Sequence, residues 1–180
     1  MKRMICSITA AAAMLGVLAT ATVPAALADM AVSKLKVGDP APDFTLKDSG
    51  GRQVQLSSAG KNKVVLLAFW SLRCGTCLGE VPYLEQLHRS YTGKGVVVLS
   101  VVTDGVDATA AKTIMKEAGV SPSYPVLMDP DFTATDAYTN FMVPHTLVID
   151  RKGIIRYVHT GFETGTEKQY EAALTEALRP

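Results

Sequence analysis

Cys74 and Cys77 are the residues of this chain with the clearest chemical purpose. They are separated by two residues in the stretch Phe69-Trp70-Ser71-Leu72-Arg73-Cys74-Gly75-Thr76-Cys77-Leu78-Gly79-Glu80-Val81-Pro82, where an apolar, β-branched run gives way to helical spacing. A cysteine at the start of a helix lies beside unpaired N–H groups and the positive end of the helix dipole, which favour thiolate over thiol. Thiolate is the species that attacks a disulfide. Cys74 is therefore assigned as the attacking and more exposed sulfur, and Cys77, one turn into the helix, as the resolving one.

Other side chains near the pair have two readings each. Glu80 follows Cys77 by three positions and shares its helix face. It is either the general base that takes the resolving thiol's proton, its own pKa raised by burial, or a surface acid that favours the helix N-terminus. Arg73 either adds positive charge beside Cys74 or is a solvated side chain. Trp70 either packs beside the dithiol as a shield or belongs to the core alone. Pro82 falls inside the helix and should kink it without ending it, because Val81, Leu84 and Leu87 continue the apolar period.

The elements that must position the pair can be read along the chain. Residues 1–28 read as a secretory signal peptide: Lys2 and Arg3 are a basic flank, Ile8 to Leu18 an apolar core, and Ala26-Leu27-Ala28 a cleavage site. The alternative is an uncleaved membrane anchor, although the apolar core is well short of the ~20 residues a spanning helix needs. Of the three cysteines, Cys6 leaves with this segment, so Cys74 and Cys77 are the whole thiol inventory of a mature domain over 29–180. One closely spaced pair closes a tiny loop and constrains little of the unfolded chain, so it is explained better by chemistry than by stapling. The formal net charge is +1 and no basic stripe exists, which excludes nucleic acid as a partner.

Within the domain, Gly38 to Leu46 is a proline-bearing lead-in to an edge strand, and 44–56 a hairpin around Asp48-Ser49-Gly50-Gly51. Val64 to Phe69 is a continuous apolar run, the mark of a central strand covered on both faces. Val96 to Val102 repeats that pattern. Asp107 caps a helix that stops at Gly119; 125–128 forms a short strand and 133–138 a helical turn. Thr146 to Ile149 and Ile154 to Val158 form a hairpin, and Glu167 to Leu178 a last helix with Tyr170, Ala173, Leu174 and Ala177 on one face. This order predicts an α/β fold with a mixed central sheet and helices on both faces.

Four separated features resemble a known family: Gly38-x-x-Ala41-Pro42-Asp43-Phe44; Phe69-Trp70 followed by Cys74-x-x-Cys77-x-x-Glu80-x-Pro82; an added helix and strand at 107–128; and Val143-Pro144-His145-Thr146-Leu147-Val148-Ile149-Asp150. Together they resemble the periplasmic thiol-disulfide oxidoreductases of the TlpA/ResA type, within the larger redoxin group that also holds peroxiredoxins. The resemblance implies a thioredoxin-like fold with an N-terminal β-hairpin and an inserted helix-strand element. It places a cis-proline at Pro144, and gives Val143 a backbone able to pair with an extended stretch of client. Thioredoxin carries a buried Asp where this chain has Ala68, and the family offers a glutamate instead, at the place of Glu80. Gly75-Thr76 between the cysteines, and Arg73 where Trp is common, leave the reduction potential open.

The resemblance implies an exported, periplasmic or secreted reductase acting as a monomer. Its clients would be protein disulfides, such as apocytochrome c or a copper-site protein, and its electrons would come from a membrane thiol transporter. Specificity is expected from the surface around Trp70, Thr76 and Val143. No cofactor or metal is expected, since the sulfurs carry the electrons. The competing classes are a copper-binding or copper-delivery protein of related fold and a thiol peroxidase, of which Ser71-Leu72-Arg73-Cys74 is only a loose echo.

Overall fold

The computed structural model describes residues 34–139 and 141–179; the signal-peptide reading of 1–28 lies outside them. In chain order the elements are β1 (Thr45–Asp48), β2 (Gln53–Gln55), α1 (Leu56–Ala59), β3 (Val64–Trp70), α2 (Gly75–Tyr91), β4 (Val96–Val102), α3 (Ala108–Glu117), β5 (Val126–Met128), α4 (Thr133–Tyr138), β6 (His145–Ile149), β7 (Ile155–Thr160) and α5 (Thr166–Ala177). The strands form one sheet in the order β2-β1-β5-β4-β3-β6-β7. β3, β4 and β5 run parallel, and β1, β2, β6 and β7 join antiparallel to their neighbours.

All seven residues of β3 are buried, as an uninterrupted apolar run requires when both faces of its sheet are covered. Alternate side chains of β3 enter two cores. Val64, Leu66, Ala68 and Trp70 pack with Val81, Leu84 and Leu87 of α2, Ala111 and Met115 of α3, and Tyr170 and Leu174 of α5. Val65, Leu67 and Phe69 pack with Leu56 of α1 and with Ala134 and Tyr138 of α4 on the other face.

The capping reading of Asp107 holds. Its carboxylate accepts the N–H groups of Thr109 at 2.8 Å and Ala110 at 2.9 Å, and Gly119, at φ +69°, lies past the end of α3. Two details differ from the sequence reading. β1 is not an edge strand, because the inserted β5 pairs with it (Lys47 with Met128, Asp48 with Leu127) and leaves β2 at the edge. The prolines precede β1, so no ladder hydrogen bond is lost there. Helix α1 was not anticipated, since four residues carry no periodicity; the Asp43 carboxylate holds its start by accepting the Ser57 N–H at 2.9 Å and the Ser57 hydroxyl at 2.7 Å.

Candidate active site

The parallel strands deliver their C-terminal ends, and antiparallel β6 its N-terminal end, to one edge of the sheet. β3 ends at Trp70, and after the strap Ser71-Leu72-Arg73 the chain enters α2 with Cys74 at the N-cap. The two sulfurs are joined as a disulfide, with Cα atoms 5.2 Å apart. Cys74 is half-buried and Cys77 is fully buried, the order of exposure expected of attacking and resolving sulfurs. The Cys77 N–H donates to Cys74 Sγ at 3.1 Å, and the Cys74 carbonyl accepts the Leu78 N–H at 3.0 Å. The attacking sulfur thus sits on the donor-rich end of α2, where a thiolate is favoured.

Glu80 has no exposed surface, which removes the surface-acid reading. Its Oε1 accepts the Thr146 hydroxyl of β6 at 2.9 Å and the Tyr170 hydroxyl of α5 at 2.6 Å. Burial pushes its carboxyl up to about 7, and the bonds from Tyr170 and Thr146 work against that rise. Burial and the Glu80 charge push the Tyr170 hydroxyl upward, so it remains a donor. Beneath Glu80, Ala68 pairs with Ser100 on one side and Thr146 on the other. The acid missing from position 68 is thus replaced by one reaching the same row of the sheet from the helix above.

The Val143–Pro144 peptide bond is cis. Pro144 is buried and Val143 half-buried, packed against both cores, and the Pro144 carbonyl is held by the Gly161 N–H at 2.8 Å. Because Phe69 pairs with His145, Pro144 lies at the level of Trp70, at the end of the sheet from which the dithiol strap departs. His145 is buried, with Nδ1 2.8 Å from Thr160 Oγ1. Burial, with His159 nearby, pushes its imidazole down to about 4, so it is neutral at ordinary pH.

The remaining expected residues are spread over the surface and the core. Arg73, Gly75, Thr76 and Pro82 are exposed, and Pro82 sits inside α2 without ending it. Trp70 is fully buried in the core that contains Cys77. It offers none of the client-facing surface expected of it, because it ends a strand covered on both faces; Thr76 and Val143 remain accessible. Sequence reasoning missed Thr146, placed Tyr170 only as a core position, and missed Asp104. The Asp104 carboxylate accepts the Ser71 hydroxyl at 2.9 Å and the Leu72 N–H at 2.8 Å. No local signal marks a side chain that bonds across more than 30 positions. Among the described residues, no group of three or more His, Cys, Asp or Glu side chains could hold a metal ion.

A disulfide at the N-terminus of a helix that follows a central strand, with a cis-proline at the same end of the sheet, defines a disulfide-exchange protein of thioredoxin-like fold. The chain belongs to the Redoxin family, whose model matches residues 36–174. It is 35% identical over 127 residues to the thiol-disulfide oxidoreductase ResA of Bacillus subtilis, covering 71% of this chain and 69% of that one. It is 34% identical over 145 residues to the thioredoxin-like protein YneN of the same organism, covering 78% and 79%. A crystal structure from Chlorobium tepidum, provisionally described as a thiol:disulfide interchange protein DsbE, superposes with TM-score 0.74 at 31% identity and covers 81% of this chain and all of its own. The protein is a thiol-disulfide oxidoreductase of the TlpA/ResA kind.

Proposed function

We propose that this oxidoreductase works outside the cytosol as a monomeric reductase of protein disulfides. In its dithiol form, the Cys74 thiolate attacks one sulfur of a client disulfide. A Cys74–client bond forms, the client bond breaks, and the client's other sulfur leaves as thiolate. Cys77 then gives its proton to the Glu80 carboxylate and attacks Cys74. The mixed disulfide breaks, a client dithiol departs, and Cys74–Cys77 is left oxidised, to be reduced again by a thiol donor at the membrane. Trp70 and Pro82 act as structural support for the dithiol, while Arg73, Gly75 and Thr76 surround Cys74. An extended client pairs with the backbone at Val143, beside Pro144.

The observation that carries this reading is the graded burial along α2: Cys74 half-buried at the helix tip, Cys77 inside, and Glu80 buried one turn on with its carboxyl near 7. A base is most useful when its pKa is close to the working pH. Two further observations support export: a signal-like segment at 1–28, and similarity to a structure described as an exposed lipoprotein thioredoxin of Streptococcus pneumoniae (28% identical, TM-score 0.63, covering 75% of this chain and 99% of that one). The resemblance to the TlpA/ResA type makes apocytochrome c, or a copper-site protein with paired cysteines, the client class to test first.

The test is a Cys77→Ser variant expressed in the native host. Mixed disulfides on Cys74 should accumulate and identify the client. No adduct, or the same adducts after Cys74→Ser is added, overturns the reading.

A further inference from the structure

The strap between β3 and Cys74 has no secondary structure of its own, yet its groups are held one after another. The Trp70 carbonyl accepts the Thr103 N–H at 3.0 Å and the Thr103 hydroxyl at 3.3 Å. The Ser71 hydroxyl donates to Asp104 Oδ1 at 2.9 Å and itself accepts the Arg73 N–H at 3.1 Å. The Leu72 N–H donates to Asp104 Oδ2 at 2.8 Å, and the Cys74 N–H donates to the Ser71 carbonyl at 3.2 Å. Both oxygens of one carboxylate are thus spent on the two residues that fix where Cys74 begins.

The loop that carries Asp104 is fixed in turn. Gly105 follows at φ +65°, and a Cβ there would lie 2.7 Å from Cζ of Phe132. Phe132 also meets the Phe141 ring, with centroids 6.1 Å apart, and Phe141 lies two positions before Val143. Asp104 is therefore followed by a glycine that leaves no room for a side chain beside Phe132.

We propose that Asp104 is a positioning residue for the attack step. Its two-oxygen clamp on Ser71 and Leu72 holds Cys74 Sγ over the N-terminus of α2, in reach of the Cys77 N–H. It touches neither client nor sulfur. Misplacing a reacting group by an ångström costs rate even when the group itself is intact. The inference rests on Cys74 being the attacking sulfur.

The experiment resolves the two half-reactions. Reduced protein is mixed with an aromatic model disulfide, and formation and resolution of the mixed disulfide are timed separately. Asp104→Ala removes both acceptors and should slow formation about tenfold, leaving resolution by Cys77 within twofold. Ser71→Ala keeps the bond to Leu72 and should slow formation by less. Asp104→Asn preserves the shape and can still accept the Leu72 N–H, so it should recover most of the rate. Formation in Asp104→Ala and Ser71→Ala within twofold of wild type overturns the assignment, as does equal slowing of both steps in both variants. Cys74→Ser, run alongside, tests the underlying reading: reaction surviving in that variant defeats Cys74 as nucleophile, independently of what Asp104 does.

Discussion

Tyr170, on the last helix, donates its hydroxyl hydrogen to Glu80 Oε1 at 2.6 Å across 90 positions of chain. This bond ties α5 to the second turn of α2 and sets the carboxyl that stands one turn beyond the resolving cysteine. Burial raises the Glu80 pKa to about 7, and the Tyr170 and Thr146 bonds oppose the rise.

Removing the Tyr170 donor should therefore push Glu80 higher. In Tyr170→Phe, the pH profile of mixed-disulfide resolution is expected to move to higher pH, with a loss of about 1 kcal/mol in stability for the missing hydrogen bond. Thr146→Val should act in the same direction. Single-turnover rates between pH 5 and 9 check this, and a profile unmoved in both variants would remove Glu80 from the resolution step.

Two buried groups oppose each other in the pH dependence of stability. Glu80 titrates near 7 in the fold against 4.5 in the unfolded chain. Its contribution is fully present below the lower value and is lost as pH rises through the higher, by roughly 3 kcal/mol. His145 titrates near 4 in the fold against 6.5 unfolded, so folding favours the neutral ring. Its contribution is present above the unfolded value and is lost, by a similar amount, as pH falls toward the folded one. Between those limits the two slopes nearly cancel. Asp43, Asp48, Glu85 and Asp150, all lowered in the fold, lose their contributions as pH falls below the ordinary carboxylate range. Urea unfolding of the oxidised protein at several pH values should find the wild type nearly level between about pH 4.5 and 6.5. Glu80→Gln should gain stability with rising pH over that window, and His145→Gln should lose it. Parallel curves for all three proteins would contradict the burial-driven shifts.

Gly105 combines φ +65° with a close approach to the Phe132 ring. Gly105→Ala places an L side chain in the left-handed region and displaces that ring, which should cost about 2 kcal/mol. Thermal unfolding measures the loss. A stability equal to wild type would mean that the loop relaxes without strain.

The cap of α3, three positions past the Asp104 clamp, gives a contrasting case, because its bonds stay within its own helix. Asp107→Ala releases the N–H groups of Thr109 and Ala110 and should cost about 1 kcal/mol. Rates of mixed-disulfide formation and resolution should stay within twofold. A large loss of rate would show that α3, and not only the loop before it, supports the site.

The sequence by itself determined what is local. The Cys74–Cys77 spacing, the apolar run of β3, the Asp107 cap and the helical period through Val81, Leu84 and Leu87 all follow from side-chain type at short separation, because helix and strand geometry fix which near neighbours share a face. The resemblance added the cis bond before Pro144, which the structure contains. Only the tertiary structure decided that Glu80 is buried, that its partners are Thr146 and Tyr170, that Trp70 has no surface to offer, and that Asp104 clamps the strap before Cys74. These facts depend on strand order and on the face against which each helix packs. Spacing carries no record of a bond between residues 32, 66 or 90 positions apart; such bonds form where the sheet and its covering helices bring the partners into one desolvated layer, where an unpaired polar group is costly.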